Sequence, residues 1–209
     1  MKRANLRGAG VLVAVALAAT PIMAPAEPPG RDPDWPCVQR LVPNLAAGTF
    51  WSGPAAPAGA DWRADPRLAD LVAAVASRDL PVADGDAKLS AYADSLAPEQ
   101  RRTVLPKLFA ALVDEINDAR HDTIVRLKEL ARRQKSVAAL VGSATDQLRA
   151  VPADATGEDA ARRTEIEQRR DFLIRTFQQT QRTVQYACQV PNALEARLGS
   201  YARTLQAKL

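Results

Sequence analysis

The chain has 209 residues, enough for one domain with a sizeable core, and aromatic residues make up only 5% of it, too few for the usual sheet-forming composition. Its formal charge is +4, but Lys2, Arg3 and Arg7 supply most of that excess. Without residues 1–26 the balance falls to about +1 over roughly 183 residues, so bulk charge gives no argument for nucleic acid, and none is expected as a partner.

Residues 1–26 read as a cleavable signal peptide. A basic start precedes the short apolar run Val11–Ala19, and Ala24-Pro25-Ala26 has the small-x-small form of a cleavage site. The run is too short for a permanent membrane span, so no transmembrane anchor is expected after cleavage. These features predict a periplasmic or secreted protein.

Residues 27–63 are expected to form an irregular arm. Eight of the fifteen prolines lie between Pro28 and Pro66, a density that prevents a continuous helix. Trp35, Trp51 and Trp62, with Phe50, Leu41, Val42 and Leu45, are nevertheless too apolar for a free tail. The arm should therefore lay its aromatics on a helical domain formed by residues 64–209.

Asp65-Pro66 has the form of a helix start, and Leu68, Leu71, Val72 and Val75 follow at helical spacing until Leu80-Pro81. A short helix is predicted from about Asp86 to Leu96. Pro98 then opens a much longer element. Its apolar or small residues recur at 3–4 spacing through Phe109, Leu112, Ile116, Ala119, Thr123 and Leu127, and on to Leu148. Pro106 is expected to kink or restart this helix.

Val151 to Thr156 breaks the pattern, and Thr156-Gly157-Glu158-Asp159 resembles a capping box for a second long helix. The second stripe is Ile166, Leu173, Phe177, Thr180, Val184 and Ala187, interrupted at Pro191 and resumed by Leu194, Leu198, Tyr201 and Leu205. The fold class predicted is all-α: a long, coiled-coil-like antiparallel helical hairpin, two short helices and the arm. A turn centred near residue 153 or 154 would set Cys188 opposite Ala119.

Cys37 and Cys188 are the only cysteines. Their spacing fits neither a redox CxxC nor a zinc site, and an oxidising compartment favours a disulfide between them. Asp118, His121 and Asp122 are the weak metal candidates, because Asp118 and His121 lie three apart on one helix face. The alternative is a solvated acidic patch in which Asp122 pairs with Arg126.

Arginines recur along both long helices. Pairs such as Glu129–Arg133, Glu165–Arg169 and Asp171–Arg175 predict a salt-bridged outer face. The competing expectation is a basic surface for an anionic partner, such as lipid headgroups or an acidic protein. Trp35, Trp51 and Trp62 are candidates for a binding groove or for packing anchors. Leu108, Val113 and Leu140 fall outside the main stripe and are expected to widen an interaction surface.

No nucleophile elbow, phosphate loop, haem-attachment or zinc-protease motif is present, so neither catalysis nor a cofactor is implied. Leu96-Ala97-Pro98-Glu99-Gln100-Arg101 resembles the LTxxQ helix start of small periplasmic stress chaperones of the Spy type. Ala97 stands where that family has threonine, and there is no second copy. The reading that follows is a non-enzymatic envelope protein that contacts another envelope protein or itself. The alternative is a metal- or small-ligand module centred on Asp118, His121 and the arm.

Overall fold

The computed structural model describes residues 32–56 and 61–209. The expected signal segment 1–26 lies outside the described residues, as do residues 27–31 and 57–60 of the arm. The described residues are all-α. The helices are α1 (Ala47–Phe50), α2 (Pro66–Ala76), α3 (Val82–Asp94), α4 (Pro98–Arg149), α5 (Glu158–Ala187) and α6 (Val190–Gln206), with no strand among them.

The start of α2 is set by Asp65, whose carboxylate accepts from the N–H groups of Arg67 and Leu68 while Pro66 occupies the first turn. It ends at Ala76, and α3 begins at Val82, four residues earlier than the sequence pattern placed it. Pro81 supplies that start, since its fixed φ suits a helix entry and it has no N–H to leave unpaired.

At the head of α4, Gln100 reaches back to accept from the Ala97 N–H at 3.1 Å, and Pro98 fills the first turn. The helix then runs through Pro106 without ending, so of the two expected outcomes, a kink or a restart, the restart does not occur. A single proline removes one helical hydrogen bond, and here its ring is buried among the core side chains that surround this part of α4.

The main core lies at this end of α4. Leu105, Leu108, Ala111, Leu112 and Ile116 are fully buried against Leu68, Val72 and Val75 of α2, Leu89 of α3, and Leu194, Leu198, Tyr201 and Leu205 of α6. Because α2, α6 and the arm surround this segment, Leu108 and Val113 are core residues rather than the surface residues expected. Leu140 is exposed.

A polar node fastens α2 and α3 to α6. Tyr201 Oη donates to the Val75 carbonyl at 2.8 Å, and Arg197 donates to Val75 and Tyr201 and to the Leu80 carbonyl. Arg197 thus satisfies the Val75 carbonyl, one of the last of α2, and the Leu80 carbonyl in the α2–α3 connection. Gly85 makes room for this node: a Cβ there would lie 2.0 Å from Tyr201 Oη and 2.6 Å from Cζ. Gly85→Ala should therefore cost about 1–3 kcal/mol in urea unfolding. An unchanged midpoint would mean that Tyr201 is free to move aside.

The α5 start departs from the expected capping box. Gly157 is the cap, at φ +60°, and Thr156 makes no cap bond. The left-handed backbone there suits glycine, and Glu158 and Asp159 place negative charge in the first turn. Arg163 donates to the carbonyls of Leu148 and Val151, and Ile166 shares a small core with Ala144, Leu148 and Val151. At the other end of α5, Ala187 and Cys188 share a cluster with Ile124 and Leu127. Cys188 thus clusters with Ile124 and Leu127 instead of Ala119, a shift of about one and a half to two helical turns. Val151 in the connection is itself buried with Ala144, Leu148 and Ile166, so the connection packs into the helix pair instead of forming an open turn centred near residue 153.

Candidate interaction surface

The arm descends along α4 in reverse direction, and each contact has a specific partner. Asp32 pairs with Lys128 at 2.7 Å, and Asp34 lies between Lys135 at 3.0 Å and Arg132 at 3.2 Å. Trp35 and Cys37 are buried with Ile124 and Leu127, and the Cys37–Cys188 disulfide closes over them. The side-chain amide of Gln39 donates to the Cys188 carbonyl.

Further along, Arg120 donates to the Val42 carbonyl at 2.8 Å and to the Pro191 carbonyl at 2.7 Å. The Asn117 side chain accepts from the Leu45 N–H and donates to the Leu45 carbonyl, as a neighbouring strand would. Arg120 is thus a buried clamp between arm and α6, not a member of the outer arginine face. Burial lowers its pKa, an effect partly offset by the negative charge of Glu195.

The three tryptophans are packing anchors with satisfied indole N–H groups. Trp35 donates to Gln39 O, Trp51 to Pro54 O, and Trp62 to Asp114 Oδ2. Trp51 also stacks on Phe109 with ring centroids 4.7 Å apart, and Arg63 lies over the Trp62 ring at 4.0 Å. This anchoring was legible in the Trp/Pro composition; the individual partners were not.

The lysine hydrogen bond to each of Asp32 and Asp34, from Lys128 and Lys135 respectively, is the main cause holding these carboxyls below their ordinary value of 3.8. A carboxyl depressed in the folded state stabilises fully above its unfolded pKa, and that contribution fades as pH falls through the folded value. Stability should therefore decline as pH drops below about 4. In urea unfolding from pH 7 to pH 2, Asp32→Asn with Asp34→Asn should flatten this acid limb. An unchanged limb would show that these pairs do not contribute to it.

The weak metal candidates do not converge. Asp118 is exposed and pairs with Arg63 at 3.4 Å, and His121 and Asp122 are both exposed. Among the described residues, no group of three or more His, Cys, Asp and Glu is placed to hold a metal ion. Asp122 instead lines an open cleft of about 460 Å³ between the end of α2, the middle of α4 and the α5–α6 junction. Arg78 and Arg126 stand at its rim, above Ala76, Leu127, Leu130 and Val190.

The expected salt-bridged face is also not formed. On α5 only Arg163 and Arg170 pair, with Glu167 and Asp171. Among the described residues, no carboxylate lies within 4 Å of Arg126, Arg133, Arg162, Arg169, Arg175 or Arg182. Acid–arginine spacing made the pairs permissible, but on an exposed helix face the gain of about 0.3–0.5 kcal/mol barely offsets the ordering of two long side chains.

None of residues 132–143 on α4 or 167–183 on α5 is buried, although the arm's Asp34 touches Arg132 and Lys135. Val137, Val141, Leu173, Ile174 and Phe177 are half-buried, and Leu140 and Phe172 are exposed. No described helix is long and apolar enough to cross a membrane. No protein-family model, curated protein or solved structure matches this chain.

Proposed function

We propose that this is an exported, non-enzymatic protein that acts through protein–protein contacts in the cell envelope, as an adaptor, scaffold or chaperone-like binder. In this reading residues 1–26 are a cleaved signal, residues 27–63 a fastened arm, and α4 with α5 an antiparallel, coiled-coil-like hairpin. One observation carries it: residues 132–143 of α4 and 167–183 of α5 contain apolar side chains and no buried residue. Side chains half-covered within one chain have contact area left for another. The Cys37–Cys188 disulfide and the absence of a spanning helix among the described residues are compatible with export.

Two measurements test the reading. N-terminal sequencing of the protein from its native cells should find a chain beginning near Glu27 in an extracytoplasmic fraction; an intact Met1 in the cytoplasm would overturn export. A photo-crosslinking residue at Leu140 or Phe172 should trap a discrete protein partner that the same residue at exposed Asp70 does not. Equal trapping at all three positions, or none, would overturn the assignment to these helices.

A further inference from the structure

Cover on α4 changes where α2 stops. α2 ends at Ala76, Ser77 leaves it with ψ 130°, and α4 runs on far beyond. The open cleft of about 460 Å³ lies at that step. Its size falls within the range of roughly 300–1,000 Å³ that small-ligand sites occupy. The apolar lining comes from Ala76, Ala119, Leu127, Leu130, Ala187 and Val190, of which Ala76 and Leu127 are buried.

Four charged residues line the cleft: Arg78, Glu115, Asp122 and Arg126. Glu115 is met from outside by Arg63 at 3.6 Å. Arg78, Asp122 and Arg126 have no oppositely charged side chain within 4 Å among the described residues. Asp122 and Arg126 are four apart on α4, the spacing of a helix ion pair, and yet they do not pair. The end of α2 adds partial negative charge. Ala73 and Ala76 line the cleft, and their carbonyls accept no hydrogen bond from the described residues. Such a helix end favours an ammonium group.

These features select a ligand that carries both charges. A simple anion would meet Asp122 and the end of α2, and a simple cation would meet Arg78 and Arg126. Asp122 and Arg126 stand one turn apart, about 6 Å along α4. A dipeptide spans a similar length, about 7 Å when extended. We propose that the cleft binds an apolar dipeptide as a zwitterion. Its free amino group would sit at Asp122 and the end of α2, its carboxylate at the arginines, and its side chains over Leu127, Leu130 and Val190. A folded protein offers one free terminus here, not two, so the occupant is a small molecule. The cleft shares no residue with 132–143 or 167–183, and the inference goes beyond the protein-contact reading.

The test is calorimetric titration of the oxidised full chain with leucyl-leucine, its N-acetyl and C-amide forms, and free leucine. Leucyl-leucine should bind, and blocking either terminus should weaken it at least about tenfold, since each block removes one charge-assisted contact. Free leucine should also be about tenfold weaker, because one apolar side chain is lost. Asp122→Asn should bring leucyl-leucine down to the affinity of the acetylated form, and Arg126→Gln to that of the amide. Asp118→Asn, outside the cleft, should change neither ratio. Asp122 and Arg126 are exposed, so neither exchange disturbs the core. No binding of leucyl-leucine, equal binding of its three forms, or leucine binding as tightly would overturn the inference. So would ratios that Asp122→Asn and Arg126→Gln leave unchanged. Each of these failures leaves the crosslinks from Leu140 and Phe172, and the contact reading they test, unaffected.

Discussion

Replacing both Cys37 and Cys188 with serine should lower unfolding stability by about 3–5 kcal/mol. The bridge spans 151 residues, and the loop-closure entropy it removes from the unfolded chain is worth roughly 5 kcal/mol at that length. Residual structure in the unfolded chain reduces the figure, whereas a serine hydroxyl in the buried Trp35–Ile124–Leu127 cluster adds to the loss. The main core contains neither cysteine, so the helical circular dichroism signal should persist in the variant. Urea unfolding of the oxidised protein and the double serine variant measures the difference. A loss below about 1 kcal/mol would mean that arm contacts already restrict the unfolded chain as much as the bridge does.

Arg120→Met should cost about 2–4 kcal/mol, a large effect for a residue without a salt bridge. The guanidinium joins two backbone carbonyls from segments distant in sequence, at Val42 in the arm and Pro191 at the start of α6. Methionine fills much of the space but donates nothing, so the Pro191 carbonyl is left without this partner in a buried setting. Arg120→Lys should recover only part of the loss, because a single ammonium lacks the fork that reaches both acceptors. Hydrogen exchange at the Leu45 amide, held by neighbouring Asn117, would report whether the arm loosens before the helices. Equal stabilities of the arginine and methionine proteins would show that water replaces the guanidinium at no cost.

The long helices, the arm's attachment and the cysteine pair could be read from periodicity, proline density and count, because each depends on local spacing or on simple pairing. Arg120 could not, since its burial depends on where Val42 and Pro191 return in space. For the same reason Leu108 and Val113 looked like surplus surface: the stripe shows which side of α4 is most apolar, not that α2, α6 and the arm surround the whole segment. The partner of Cys188 on α4 was misplaced by about one and a half to two turns, and Val151 in the connection is buried instead of forming an open turn. The outer arginines were misjudged in the opposite direction. Acids at suitable spacing made pairing plausible, while the side chains at Arg133 and Arg169 remain unpaired with any described carboxylate.

The position of the disulfide also constrains the order in which the molecule can be completed. Cys37 is synthesised 151 residues before Cys188, and at about 5–20 residues per second the first thiol waits on the order of ten to thirty seconds for its partner. With no third cysteine among these 209 residues, that thiol has no wrong partner among them. A mispaired bridge among these residues therefore needs a second molecule, so oxidation at high protein concentration should produce linked dimers rather than scrambled monomers.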